Sequence, residues 1–442
     1  MKKVIETIKN ICKIEDLRNR ILITLLFVLI YRFGSFIVLP GVNPGDFDAL
    51  DKQVEGGLMS LLNMFSGGAF SNASIFALGI MPYISASIVI QLLSIAVPSF
   101  QKMQKEGESG RRKITQYTRY LTVLILLVQG PAYLKNLTVQ MPGVPSDFWF
   151  YISSTIILCA GSMFVMWLGE RITDKGIGNG ISFIILIGII ARFPEAVAQE
   201  FVEQVENKGG GLVMFILEMA LFIVVIGGAI MLVQGVRRIP VQYAKQLAGS
   251  KQQVGGVRQY IPLKVNAAGV MPIIFAQALM FIPLAVIPMV TEPDPDAFYL
   301  DTWSFGYNLI FAMLIIAFTY FYTAITIQPN QMADDMKRNG GFIPGVKPGS
   351  ETAEYIDTVL SRITLPGSFF LVLIAVMPAI VKGNIVQADQ FALFFGGTSL
   401  LILVGVVLDT LQQVESHLMM HHYDGLMESG RIQGRNPGMS AY

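Results

Sequence analysis

Apolar residues arrive in blocks close to the length of a bilayer crossing, and this governs what the chain can become. The blocks lie at about Ile21–Pro40, Ser74–Val97, Thr118–Val139, Phe148–Leu168, Ile181–Ala198, Leu212–Val233, Val265–Val290, Phe305–Ile327, Thr364–Val381 and Phe391–Leu411. A helical crossing needs about 20 such residues. Only 14% of the 442 residues are charged and 53% are hydrophobic, with mean hydropathy +0.56. Blocks and balance together predict an all-α polytopic membrane protein. The net charge of +1 is silent about partners, so the distribution of charge is the useful quantity.

That distribution alternates. Lys2, Lys3, Lys9, Lys13, Arg18 and Arg20 precede the first block, and Lys102, Lys105, Arg111, Arg112, Lys113 and Arg119 follow the second. Arg237, Arg238, Lys245, Lys251, Arg258 and Lys264 follow the sixth, and Lys337, Arg338, Lys347 and Arg362 the eighth. The intervening loops are acidic: Asp46, Asp48, Asp51 and Glu55, then Glu195, Glu200, Glu203 and Glu206, then Glu292, Asp294, Asp296 and Asp301. Basic loops stay in the cytoplasm. The fifth block is weak, because its clean run stops at Ala191 before Arg192 and Pro194, yet the alternation holds only if it crosses. About ten crossings are then expected, with both termini cytoplasmic.

Residues 1–207 and 208–442 each hold five of these spans. An odd number per half gives the halves opposite orientation, as in inverted-repeat membrane proteins. Two basic-side loops, about 236–264 and 329–362, are longer than topology needs, and the first carries six basic residues and no acid. Long loops are often functional, so a docking surface for a cytosolic partner is expected there. The same charge suits an RNA-rich partner.

Residues 60–72 read SLLNMFSGGAFSN and lead into the second block. They are too short and Gly-broken to cross. Non-spanning backbone at membrane depth is tolerated only where protein or water shields it. The segment is therefore expected to fold back into a cavity, as a stopper in a pore.

The blocks hold few ionisable groups, whereas transporters and pumps keep such groups near mid-membrane. Arg32 lies in the first block and reads as a snorkelling or carbonyl-bonded charge. Glu218 lies about two turns into the sixth and is expected to reach the outer interface; Asp409 sits at the inner end of the last. Gly176, Gly178 and Gly180 in GIGNG follow no strand, so a helix-starting turn is preferred to a dinucleotide site. His417, His421 and His422 have helical ligand spacing, but no cysteine is near, and a solvated face is preferred to a metal site. Cys12 and Cys159 are not expected to pair, and Met1–Arg20 lacks the core and cleavage site of a signal peptide. No cofactor and no catalytic dyad are indicated. Ser85, Ser87, Gln91, Gln129 and Gln277 read as packing bonds between helices or as a polar seam that can part. The classes left open are a protein-conducting channel, a secondary transporter with inverted repeats and, third, a membrane-embedded enzyme or scaffold.

Longer motifs separate them. MFSGGAFSNASIFALGIMPYISASIVIQLL (64–93), KEGESGRRKITQYTRY (105–120), MWLGERITDKGIGNGIS (166–182), PLKVNAAGVMPIIFA (262–276), FIPGVKPGSETAEYID (342–357) and FGGTSLLILVGVVLD (395–409) occur in order along the chain. Through these the sequence resembles the SecY family of bacterial protein-translocation channels over essentially its whole length.

The resemblance implies an hourglass pore closed by an aliphatic ring and a short plug helix. Positions matching the ring are Ile80, Ile84, Ile181, Ile185, Ile274 and Ile402; the plug matches about 60–72, with Met64, Phe65, Ser66, Gly67, Gly68, Ala69 and Phe70 at its centre. A narrow apolar constriction dewets and blocks ions without a charged gate. A lateral gate is implied between the second and third spans and the seventh and eighth, involving Ser85, Ser87, Gln91, Gln129, Gln277 and Ile282. Gly79 and Pro82, and Pro272 and Pro283, are expected to break the second and seventh spans as hinges. Implied partners are SecE, SecG, the SecA motor ATPase, the translating ribosome, nascent or preprotein chains and membrane lipid. The cytosolic ones would meet Arg237, Arg238, Lys245, Lys251, Arg258 and Lys347. Lys347 stands where the family commonly has arginine, which keeps the charge without the planar fork. The implied activity moves unfolded secretory polypeptides across the plasma (inner) membrane and releases hydrophobic segments sideways, with no bond broken.

Overall fold

The computed structural model describes residues 14–43, 63–141, 143–145, 147–206, 211–243, 259–277, 279–280, 303–382 and 385–428. The chain is mostly helical. Helix α1 is Glu15–Gly34, α2 Met81–Ala96, α3 Pro98–Lys105, α4 Glu108–Gln140, α5 Phe148–Lys175, α6 Gly180–Glu206 and α7 Gly211–Gln234. Strands β1 (Val236–Tyr243) and β2 (Gln259–Lys264) follow, then α8 (Phe305–Thr326), α9 (Pro329–Arg338), β3 (Gly341–Phe342), α10 (Ser350–Val381), the short α11 (Asp389–Ala392) and α12 (Gly397–Glu428).

Among the described residues, seven stretches are long and apolar enough to cross a bilayer, and the bent pair α2 and α3 would make eight. Helix α1 is not among them, because Arg18, Arg20 and Arg32 punctuate its 20 residues. The expected seventh span, Val265–Val290, is described only over residues 265–277 and 279–280, with 271–277 helical; Pro283 lies outside the described residues. The weak fifth block is one unbroken helix, α6, which continues through Arg192 and Pro194 to Glu206.

Two expected hinges take a different form. Pro82 lies in the first turn of α2, and Pro272 lies in the first turn of the helix over 271–277. A proline there costs no hydrogen bond and presets the helical φ. These prolines start helices rather than kink them. Residues 75–80 before Met81 are turns, with Gly79 at φ +52°, and Ser74 pairs with Val38 in an isolated antiparallel bridge. The GIGNG motif is a helix-starting turn, as expected. The Ile181 and Ser182 amides donate to the Asn179 side chain at 3.1 and 3.4 Å, capping α6.

Contacts group the chain into two compact units. The first takes the described residues of Met1–Leu50, Asn63–Ala191 and Val406–Tyr442; the second takes those of Asp51–Leu62 and Arg192–Gly405. These boundaries fall inside α6 and α12, whereas the topological halves expected from loop charge meet at 207/208. In the first unit α5 packs on α1 and α4, and α4 also packs on α2 and α3.

In the second unit α10 packs against α7, α8 and α9. Buried Glu200, Gln204 and Glu218 meet there: the Gln204 amide donates to Glu200 Oε1 at 2.9 Å, Glu218 Oε1 at 2.6 Å and the Ile385 carbonyl at 3.1 Å. Glu200 in turn accepts the amides of Gln387 and Ala388 at 3.1 and 2.7 Å. Glu218 is thus buried against the Gln204 amide.

The two long basic-side loops are partly regular. They form a three-stranded sheet of order β2-β1-β3, with Ile239 opposite Ile261 and Tyr243 opposite Gly341. Alternation in β1 sends Ile239 and Val241 inward. They bury against Leu263, Met336, Ile343, Ile356 and Leu360, which joins the sheet to α9 and α10.

Candidate functional site

The segment expected to act as a stopper is a self-bonded knot. Residues 63–66 make one helical turn, and turns fill 67–73. Gly67 and Gly68 adopt φ +64° and +86°, a region costly to residues with a Cβ. The polar side chains are used within the knot. Asn63 Oδ1 accepts the Ser71 amide at 3.1 Å, Ser66 Oγ accepts the Phe70 amide at 3.1 Å, and Ser71 Oγ donates to the Gly68 carbonyl at 3.2 Å. The Gly68 amide donates to the Asn63 carbonyl at 2.9 Å. Residues 63–71 are all buried. Irregular backbone at membrane depth survives only if its polar groups are satisfied, and here short side chains and tight turns do that.

Three groups from the surrounding helices reach the knot, each at a main-chain carbonyl. Tyr31 Oη of α1 donates to Ser66 at 3.1 Å, Arg32 Nη1 of α1 donates to Gly67 at 2.8 Å, and Tyr133 Oη of α4 donates to Phe70 at 2.9 Å. A hydrogen bond from a charged group contributes about 1.5–3 kcal/mol and a neutral one about 0.5–1.5. Arg32 is thus a carbonyl-bonded charge, one of the two readings its position allows. On a fourth side Gly188 of α6 approaches closely: a Cβ on Gly67 would stand 2.9 Å from the Gly188 Cα. The Phe70 and Tyr133 rings lie 4.8 Å apart. Arg32 is signalled in the sequence by a charge in an apolar block. Tyr31, Tyr133 and Gly188 carry no such signal, since an isolated tyrosine or glycine in a span is ordinary.

The isoleucines expected at a constriction divide between the units. In the first, Ile80 and Ile185 are buried, and Ile84 and Ile181 half-buried. Ile80 and Ile84 are one turn apart at the start of α2, where the Ile84 amide donates to Ile80 at 3.1 Å; Ile181 and Ile185 are one turn apart on α6. In the second, Ile274 is half-buried and Ile402 buried.

Of the expected gate residues, Ser85, Ser87 and Gln91 lie on α2 and Gln129 on α4, and these helices pack together. The Gln91 amide donates to Ser87 Oγ at 3.5 Å. Gln277 accepts from Thr398 Oγ1 at 3.4 Å. Ile282 lies outside the described residues. Arg237 and Arg238 are exposed on β1, and Lys347 is exposed and pairs with Glu351 at 3.4 Å. Lys245, Lys251 and Arg258 lie outside the described residues.

Comparison with known proteins bears on this arrangement. The SecY family profile matches residues 74–411. The protein translocase subunit SecY of Thermotoga maritima is 40% identical over 440 residues, covering 97% of this chain and 99% of that one. The same-named subunit of Halalkalibacterium halodurans is 43% identical over 435 residues, covering 96% and 99%. Among solved structures, one devoted to the SecY plug domain aligns with a TM-score of 0.61 at 18% identity, over 95% of each chain. Sec61 in the canine ribosome-channel complex from the endoplasmic reticulum aligns with a TM-score of 0.59 at 16% identity, also over 95% of each.

Proposed function

This chain belongs to the SecY family and is a protein-conducting channel, and we propose that it passes unfolded secretory polypeptides across the plasma membrane and frees hydrophobic segments sideways into the bilayer. The observation that carries the reading is the buried Gly-rich knot at residues 63–73, whose polar groups are satisfied internally or by three reaching side chains. Such a body can leave a pore without unravelling. A resting channel needs a removable seal, and a small-solute transporter has no use for one.

The mechanism is partitioning. At the centre of a membrane helix Leu, Ile or Phe gains about 0.3–0.6 kcal/mol, while Asp, Lys or Arg costs about 2.5–3.5. A signal sequence or membrane span therefore leaves between parting helices, and a polar chain continues through. Ile80, Ile84, Ile181, Ile185, Ile274 and Ile402 form the dewetting neck in this proposal. Ten spans in two inverted halves place both termini and the basic loops in the cytoplasm. There the sheet carrying Arg237 and Arg238, with Lys347 beside it, meets the SecA-type ATPase or the ribosome, and SecE and SecG complete the complex. The canine Sec61 structure, a channel in complex with a ribosome, supports a ribosome as partner.

The secondary-transporter alternative is not favoured. The buried acid Glu200 accepts the Gln204 amide and two loop amides, and Glu218 Oε1 accepts the same Gln204 amide. The test is reconstitution of the complete complex in vesicles with the motor, ATP and an unfolded precursor. The precursor becomes protease-protected inside. Saturable small-solute uptake with no polypeptide transport would overturn the reading.

A further inference from the structure

We propose that Tyr31, Arg32 and Tyr133 form a three-point latch that grips the plug by its main chain, so that the threshold for plug release is set in large part by donors on α1 and α4. The inference rests on the channel reading above and assigns the control of its seal.

Three facts carry it. First, three polar contacts from α1 and α4 to the knot end on a carbonyl oxygen: Ser66, Gly67 and Phe70. The plug's own hydroxyls and Asn63 bond within the knot and so travel with it. Second, two of the donors, Tyr31 and Arg32, are anchored outside the knot, while the Tyr133 ring packs on Phe70 of the plug. Tyr31 is 1% exposed and stacks on Phe76, and the Arg32 guanidinium also lies 5.3 Å from the Phe36 ring. They remain positioned to re-form the grip after release. Third, Gly67 presents bare backbone to the grip: it lies at φ +64°, and a Cβ there would stand 2.8 Å from Arg32 Nη1 and 2.9 Å from the Gly188 Cα.

A latch made of carbonyl bonds releases as a unit. Each bond lost at one end passes to water when the cavity opens, and the knot's internal bonds are untouched. The release equilibrium is therefore controlled by donors that the moving part does not contain.

The test uses the full chain in its complete complex, with Cys12→Ser and Cys159→Ser and a reporter, Ala69→Cys, at a site 0% exposed at rest. Thiol labelling of the reporter and resting ion conductance are read together. Tyr133→Phe and Tyr31→Phe, which keep the rings, raise resting label rate and conductance several-fold. Arg32→Met raises them about tenfold or more, as loss of a charged bond implies, and Arg32→Lys restores part of the seal. Gly227→Ala on α7, where a Cβ meets nothing within 4 Å, leaves both readouts within about twofold. Unchanged labelling in Tyr133→Phe and Tyr31→Phe overturns the latch even should Arg32→Met fail to fold, as does a Gly227→Ala variant that leaks as freely as Tyr133→Phe. Failure of the parent complex to label faster when a precursor and motor are added overturns the channel reading instead.

Discussion

Gly188 on α6 runs so near the plug that a Cβ built on it would stand 2.7 Å from the carbonyl oxygen of Phe65. That atom belongs to main chain, which cannot swing aside as a side chain does. Gly188→Ala therefore displaces the plug rather than α6, and overpacking of this kind costs about 1–3 kcal/mol. The resting conductance of the reconstituted complex rises roughly five- to hundredfold. Gly227→Ala on α7 is the control, since a Cβ there meets nothing within 4 Å. Equal leak in the two variants would remove Gly188 from the seal.

The aliphatic neck makes a separate prediction. Replacing both Ile84 and Ile274 with glycine removes branched bulk and lets the constriction wet. Ion leak through the resting pore rises in planar bilayers, with current that persists when the plug is left intact. Conductance at the parent level would count against these positions as pore lining.

Much of the helical layout is legible because a bilayer leaves few choices. Apolar blocks of span length became α4, α5, α6, α7, α8, α10 and α12, and residues 63–71 of the non-spanning stretch are buried, while 60–62 lie outside the described residues. What escaped was decided by small, local chemistry. Pro82 reads as a helix breaker in a hydropathy plot but sits in a first turn, where its missing N–H is harmless. The strand VRRIPVQY is eight residues long and holds two arginines, so in a charged loop its alternation is easily lost. Glu218 and its partner Gln204 lie 14 positions apart on two helices, so no local pattern marks the pair. Tyr133 and Phe70 are 63 positions apart, and the carbonyl that Tyr133 reaches is invisible in a string of side chains.

Glu200 holds the loop that returns from α10. Its two carboxylate oxygens accept the amides of Gln387 and Ala388, and it is 0% exposed. Glu200→Ala strands both amides in a buried setting, at about 1–3 kcal/mol each. The thermal unfolding midpoint of the detergent-solubilised protein falls, and protease cleavage near residues 385–389 quickens. A midpoint equal to the parent would show that the loop does not depend on this carboxylate.

Sideways release predicts a reversible block. Cysteine pairs scanned between Ser85–Gln91 on α2 and residues 271–277 include at least one that forms a disulfide and arrests export, and a reductant restores it. Secretion that proceeds at full rate with the bridge formed would place the exit elsewhere.

The exposed arginines of β1 test the docking face. Ile239 and Val241 pin the strand from below, so Arg237→Glu with Arg238→Glu changes surface charge without touching the packed side. Exposed charges steer partners and are screened within about 10 Å at 0.1 M salt. The double variant therefore binds the cytosolic motor or ribosome at least about tenfold more weakly at low ionic strength, and the gap narrows as salt is added. Binding that matches the parent at every salt concentration would move the interface off the sheet.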